Sequence, residues 1–157
     1  LKLVEFMPYI CESSLDDTIS TFGCGDNYFW SVVKLKEKAL PFLIEKIADT
    51  AITKTAVPNF GGEYTVGDIA YQALEEIIDG IPTFELLGVE FDKTGCGYCS
   101  YWQHLRKKKV NRKVFSKAVS DWFKKNKSKL IWVISNKVLT CDCSSNHPNG
   151  GHYEVAK

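Results

Sequence analysis

The chain has 157 residues, 45% of them hydrophobic and 25% charged, with a formal net charge of +1. This length suits one domain with its own core, and this composition excludes a disordered chain. The near-zero net charge points to no particular partner. No apolar run reaches the roughly 20 residues that a membrane-spanning helix requires. The sequence therefore predicts a single domain over residues 1–157 with no membrane span.

The first residue and the cysteine count bear on location. The chain begins with Leu1 and contains six cysteines. A first residue other than methionine predicts that a leader segment has been removed. An even number of cysteines is common in proteins from oxidising compartments. Both features favour an exported or periplasmic protein over a cytoplasmic one.

The first elements are predicted to be helical. Residues 1–20 show the apolar spacing of an amphipathic helix, which Pro8 kinks or breaks. Asp26 is the predicted N-cap of a short helix that reaches Val33. The following helix runs from Glu37 to Asp49, with Pro41 in its first turn, where a missing amide proton costs little.

Two apolar stripes of helical period flank a glycine-rich segment. The first stripe comprises Leu40, Leu43, Ile44, Ile47 and Ala48. The second comprises Val66, Ile69, Ala70, Ala73, Leu74, Ile77 and Ile78. Each stripe lies along one side of a helix, so the two helices are predicted to pack on each other. Thr65 and Asp68 predict a capping box for the second helix, and Asp79-Gly80 with Pro82 predict its end.

The segment from Thr50 to Tyr64 between these helices is predicted to be a long, turn-rich loop. Long ordered loops in compact domains are often functional. The candidate binding residues on it are Pro58, Asn59, Phe60, Gly61, Gly62 and Tyr64.

The second half of the chain is predicted to mix helices with a small hairpin. Residues 84–91 fit either a short helix or a strand, and residues 99–108 fit a helix. Asn111 is the predicted N-cap of a further helix that reaches Lys125. Residues 130–134 and 138–143 predict a hairpin, and residues 144–151 a loop.

The helix pair resembles a HEAT repeat of the short bacterial type. Residues 39–49, ALPFLIEKIAD, are similar to its first helix, and residues 66–77, VGDIAYQALEEI, to its second. The connection between them is longer than in the family, and Gly67 replaces the usual arginine. The resemblance implies a mainly α fold of antiparallel helix pairs, here with a C-terminal β hairpin and Cys-rich loops, and an interaction surface rather than a reaction. The alternatives are an ordinary α-domain or an uncharacterised bacterial family.

The cysteines offer a candidate metal site. Cys96 and Cys99 form a C-x-x-C pair, and Cys141 and Cys143 a C-x-C pair. Four soft ligands of this kind suit tetrahedral zinc, with the alternates His147 and His152 available to replace a ligand of the second pair. Disulfides and free thiols fit the same residues equally well. A disulfide between Cys11 and Cys24 is a separate prediction.

The C-x-x-C pair also supports an enzymatic interpretation. It resembles the active-site frame of thiol–disulfide oxidoreductases, in which a strand leads into the motif and a helix N-terminus lowers the pKa of the first thiol. Residues 88–92 would be that strand, with Cys96 as the nucleophile and Cys99 as the resolving thiol.

The charges are unevenly divided along the chain. Residues 1–95 hold seven lysines and sixteen acidic residues, whereas residues 96–129 hold eleven basic residues and one acidic residue. Clustered cations attract phosphate groups, so the helices over residues 106–129 are a candidate nucleic-acid-binding module. The favoured prediction is a non-enzymatic scaffold that binds a protein or other macromolecule through its helical faces and the 50–64 loop.

Overall fold

A computed structural model describes residues 27–57, 60–95, 97–134 and 149–157. This part of the chain forms six α-helices: α1 (Asn27–Val33), α2 (Leu40–Lys46), α3 (Val66–Ile77), α4 (Thr83–Leu87), α5 (Cys99–Lys107) and α6 (Lys109–Asn126). It also forms two antiparallel strand pairs, β1 (Ile52–Ala56) with β2 (Glu63–Thr65) and β3 (Leu130–Ile134) with β4 (Gly151–Val155). The prediction of a mainly α fold is confirmed for the described residues. None of their helices combines the length and hydropathy that crossing a membrane requires.

Helix α3 lies at the centre of the core. Its apolar stripe is completely buried, as the spacing predicted: Val66, Ile69, Ala70, Ala73, Leu74 and Ile77. The predicted capping box is confirmed, because the Thr65 hydroxyl accepts the Asp68 amide at 3.1 Å and the Asp68 carboxylate accepts the Thr65 amide at 2.8 Å. These two bonds satisfy amide groups that the first turn of a helix leaves without partners.

Helices α2 and α3 pack closely where Gly67 meets the end of α2. The Gly67 amide donates to Asp49 O at 3.0 Å, and a Cβ atom on Gly67 would lie 2.3 Å from Ile47 O. Any side chain would therefore force the two backbones apart. This contact explains why glycine stands at the position where the HEAT-like second helix carries arginine. The repeat assignment itself stays a prediction.

The predicted loop over residues 50–64 is a β hairpin instead. Ile52 pairs with Thr65 and Ala56 with Glu63, and the buried Thr53 hydroxyl donates to Tyr64 O at 2.8 Å. Gly61 and Gly62 both have positive φ angles, of 90° and 72°, which few other residues adopt. The turn signal was therefore correct, but the β-branched residues before it form a strand once the core covers one side of them.

Among the described residues, β3 pairs with a strand that the sequence analysis did not predict. β3 pairs with β4, so that Trp132 lies opposite Tyr153, and the region 138–143 that we predicted as the partner lies outside the described residues. Residues 151 and 152, predicted to be in loops, begin β4. The Tyr153 ring packs against Trp132 at 5.0 Å, and Tyr153 O accepts the Asp79 amide at 2.8 Å.

Two helices begin elsewhere than predicted, and one open alternative is resolved. Helix α2 begins at Leu40, because residues 36–38 form a separate 3₁₀ turn, and it keeps Pro41 in its first turn. Residues 83–87 form a helix, which resolves the ambiguity over residues 84–91. Asn111 lies inside α6, where its side-chain amide donates to His104 O at 2.7 Å, so its role as N-cap was wrong. The predicted helix over residues 1–20 and the Asp26 cap lie outside the described residues.

Candidate interaction surface

A buried ion pair positions α6 against α3. The Arg112 guanidinium donates to both oxygens of Asp68, at 2.7 and 3.1 Å, and the two side chains are 3% and 0% exposed. The Tyr101 hydroxyl donates to the same carboxylate at 3.4 Å, and burial raises the Tyr101 pKa well above its ordinary value. The charge count had placed Arg112 on a basic surface, but its side chain is buried and does not belong to that surface. A sequence signal existed, since Arg112 is three residues before Phe115 and seven before Val119, on the apolar side of the helix.

A second arginine fastens the β1–β2 loop to α5. The Arg106 guanidinium donates to Gly61 O at 2.7 Å and to Glu63 O at 3.4 Å. It also lies 4.8 Å from the centre of the Phe60 ring, within the range of a cation–π contact. A Cβ atom on Gly62 would lie 2.7 Å from Arg106 Nη1, so the absence of a side chain there makes room for the guanidinium. Sequence analysis did not find this role of Arg106.

The six predicted binding residues separate into three groups. Pro58 and Asn59 lie outside the described residues. Tyr64 is only 2% exposed and packs its ring 5.4 Å from Trp102, so it belongs to the core. Phe60 is half-buried, and Gly61 and Gly62 are exposed at the turn. Among the described residues of the loop, the accessible part is therefore residues 60–63.

The outer side of α6 carries a row of four exposed lysines, which we call the lysine stripe. Its members are Lys109, Lys113, Lys117 and Lys124. At 100° per residue these four positions fall within roughly 80° of the helix circumference, and at 1.5 Å per residue they span roughly 22 Å. Lys107 and Lys108, also exposed, continue the positive charge beyond the N-terminal end of α6 towards Arg106.

A groove runs between α2 and α6 along the lysine stripe. Its volume is about 490 Å³. Ile44 of α2 and Ala48, which follows α2, contribute to its apolar lining, and Ser116 and Ser120 line it on the α6 side. The Ser116 hydroxyl donates to Ile44 O at 3.0 Å and holds the two helices together. The groove is open to solvent and gives the lysine stripe a concave border.

Only one of the six cysteines lies in the described residues. Cys99 is the first residue of α5 and is disulfide-bonded. The cysteines Cys11, Cys24, Cys96, Cys141 and Cys143, like the alternate ligand His147, lie outside the described residues. A disulfide sulfur is not a thiolate ligand, so Cys99 donates none to zinc in this state. The four-cysteine zinc site and the Cys11–Cys24 disulfide stay predictions.

The strand expected before the C-x-x-C motif is absent from residues 88–92. Gly88 ends α4 with a φ angle of 69°, and the Asp92 amide donates to Gly97 O at 3.3 Å across a tight turn. This turn places Cys99, the predicted resolving thiol, at the start of α5. The redox frame assigns the helix N-terminus to the first cysteine of the motif, Cys96, which lies outside the described residues.

His152 lies in a small group of possible metal ligands. Its Nε2 atom is 2.8 Å from Glu154 Oε1 and 3.9 Å from Asp79 Oδ2. A histidine with two carboxylates is a ligand set that zinc accepts. The Asp79 and Glu154 side chains are 61% and 46% exposed, however, and a hydrogen bond between His152 and Glu154 accounts for the shorter of the two contacts. No other predicted zinc ligand in the described part of the chain belongs to this group.

A polar cluster around Glu75 of α3 links this helix to α4 and to the start of α5. The Glu75 carboxylate accepts the Thr83 and Tyr98 hydroxyls, each at 3.0 Å, and the Tyr71 hydroxyl lies 2.7 Å from Thr83 Oγ1. Burial raises the Glu75 pKa to about 7, although both hydroxyl donors oppose that shift. In the sequence, Glu75 and Glu76 are simply adjacent carboxylates, and their spacing did not indicate that Glu75 accepts these hydrogen bonds.

Comparison with models of known protein families, with curated proteins and with solved structures found no match.

Proposed function

We propose that this chain is a non-enzymatic interaction domain. It binds a protein or other macromolecule through residues 60–63 of the β1–β2 loop and the adjoining faces of α5 and α6. The observation that carries the proposal is the attachment of that loop by Arg106. Two hydrogen bonds and an aromatic contact hold an exposed, glycine-containing turn in one place against α5.

The arrangement suits binding for two physical reasons. A loop that is already ordered loses less conformational entropy when a partner docks on it than a free loop does. Gly61 and Gly62 leave the backbone uncovered, so a partner can approach it closely. Asp68 and Arg112 neutralise each other within the core, which suits a structural role for this pair.

A thiol–disulfide oxidoreductase is the second candidate function. One observation favours it, namely that Cys99 is disulfide-bonded at the first turn of α5. A helix N-terminus stabilises a thiolate, which here would be that of Cys99, the predicted resolving thiol. The missing strand at residues 88–92 weighs against it.

Site-specific photocrosslinking tests the proposed function. A photoreactive amino acid replaces exposed Glu63 in one variant and exposed Lys34, remote in sequence, in a control variant. Both are irradiated in an extract of the cells that produce the protein. We expect a saturable product of defined mass from position 63 alone, and several-fold less of it when Arg106→Gln frees the loop. No product at position 63, or equal yields at both positions, would overturn the proposal.

A further inference from the structure

We propose that the lysine stripe of α6, together with the groove beside it, binds the sugar–phosphate backbone of double-stranded nucleic acid. The inference rests on the proposed function, because it assigns the partner of one of the helical faces named there.

The charge on this face is the first argument. No acidic residue occurs between Asp92 and Asp121 in the sequence, and within the described part of the chain only Lys117 of the stripe forms an ion pair, with Asp121. Glu45 faces the groove from α2, so the stripe and its acidic neighbours keep two excess positive charges. Lys107 and Lys108 add two more at the end where the dipole of α6 is positive.

The linear arrangement is the second argument. The four lysines lie on one line of roughly 22 Å along a rigid helix. A nucleic-acid backbone presents its charges in a regular row, whereas the carboxylates of a folded protein seldom do. Each lysine that neutralises a phosphate releases condensed counterions, and this release supplies most of the affinity of a sequence-independent binder.

The neighbouring side chains favour a duplex over a single strand. The exposed large apolar residues near the stripe are Val110 and Val114, which are 53% and 60% exposed. Binding of single strands commonly uses aromatic rings on which bases stack, and these residues offer none. Contacts from the stripe would therefore be made to the backbone alone, with little dependence on sequence.

The direct test is a titration of the full chain with a fluorescent duplex of mixed sequence, about two helical turns long, followed by anisotropy at low and at moderate salt. Four phosphate contacts predict that the logarithm of the binding constant falls with the logarithm of salt concentration with a slope of about −3.6. A shuffled duplex should bind within about twofold, because phosphate contacts carry no sequence information.

Two matched quadruple variants make the test specific to the stripe. Changing Lys109, Lys113, Lys117 and Lys124 to Gln should weaken duplex binding at least about tenfold and remove most of the salt dependence. The control changes four exposed lysines elsewhere, Lys34, Lys38, Lys93 and Lys157, and alters the net charge equally. The control should bind within about twofold of the wild type, because its lysines lie off the stripe, and circular dichroism should show that both variants are folded.

Three results would overturn the inference. They are an equal loss in both variants, markedly tighter binding to single strands or to polyglutamate than to the duplex, and absence of duplex binding. If any of them occurs while the crosslink at position 63 persists, the partner class assigned here is wrong and the proposed function stands.

Discussion

Arg112 shows how one residue links the sequence to the surface. A buried guanidinium is costly unless a carboxylate accepts its hydrogen bonds, and Asp68 does so with both oxygens. The same carboxylate caps α3 through Thr65, so one acidic side chain fixes the start of one helix and the position of another. Its removal would affect both contacts at once.

We expect Arg112→Met to destabilise the fold by about 3–5 kcal/mol, because it leaves the Asp68 carboxylate buried without its counter-charge. Urea unfolding monitored by tryptophan fluorescence measures the change. The matched control is Lys117→Met, which removes an exposed ion pair with Asp121 and should cost less than about 1 kcal/mol. Equal losses in the two variants would contradict the role of the buried pair.

At the scale of elements, the Glu75 cluster connects α3 to α4 and to the start of α5. Thr83 begins α4 and Tyr98 precedes α5, and both donate to the same carboxylate. Phe84 and Tyr98 also pack edge to face with their ring centres 5.1 Å apart. The cluster therefore couples the protonation of one side chain to the packing of three helices.

This coupling predicts a dependence of stability on pH. The Glu75 pKa is about 7 in the fold and near 4.5 when unfolded, so the folded state binds the proton more tightly. The resulting stabilisation is complete below about pH 4.5 and is lost as the pH rises through about 7. We expect Glu75→Gln to remove up to about 3 kcal/mol of the stability difference between about pH 5 and about pH 8. Urea unfolding at both pH values measures it.

Tyr98→Phe is a second test of this prediction, because it should raise the Glu75 pKa while Glu75→Gln abolishes the titration. It removes a donor that stabilises the charged carboxylate, so the Glu75 pKa should rise further and the loss of stability should move to higher pH. A wild-type stability profile that Glu75→Gln leaves unchanged would refute the assignment.

At the scale of the whole molecule, distant parts of the chain are joined by β4. Tyr153 packs on Trp132 of β3, accepts the Asp79 amide through its carbonyl, and donates its hydroxyl to Glu37 before α2. Burial raises the Tyr153 pKa to about 12. Tyr153, near the C-terminal end of the sequence, thus contacts residues of the acidic first half and packs at the end of α3.

We expect Tyr153→Ala to destabilise the protein by about 3 kcal/mol or more, because it empties a buried aromatic site. Ile134→Ala in the same sheet is the control, since that side chain is 79% exposed and should cost within about 0.5 kcal/mol. Thermal and urea unfolding of both variants measure the effect. A loss for Tyr153→Ala no larger than that of the control would show that β4 is not part of the core.

The disulfide of Cys99 gives a further expectation for the whole chain. Because its sulfur is bonded, iodoacetamide should not label Cys99 in the native protein and should label it after reduction, as peptide mass mapping would show. Zinc analysis of the same sample tests the alternative ligand set. Labelling of Cys99 without reductant, together with stoichiometric zinc, would favour the metal site.

Local patterns predicted the helices well and the surface less well. The stripe of α3, its capping box and α5 follow from neighbours three or four residues apart, which the sequence displays directly. Residues 60–62 form a turn, as predicted, but Tyr64 belongs to the core, and the sequence did not show that Arg106 binds this turn. Arg106 is 45 residues from Gly61, and no local pattern reports such a distance.

The sequence by itself determined where most helices lie and that the charge is divided between the two halves, because periodicity, capping and composition depend on nearby residues. Only the tertiary structure decided which strand pairs with β3, that Asp68 is the partner of Arg112, and that Arg106 binds the β1–β2 loop. Those outcomes depend on burial and on contacts between distant residues. The free energy of removing a charge or an aromatic ring from water depends on the partners it meets, and these partners come together only when the whole core assembles.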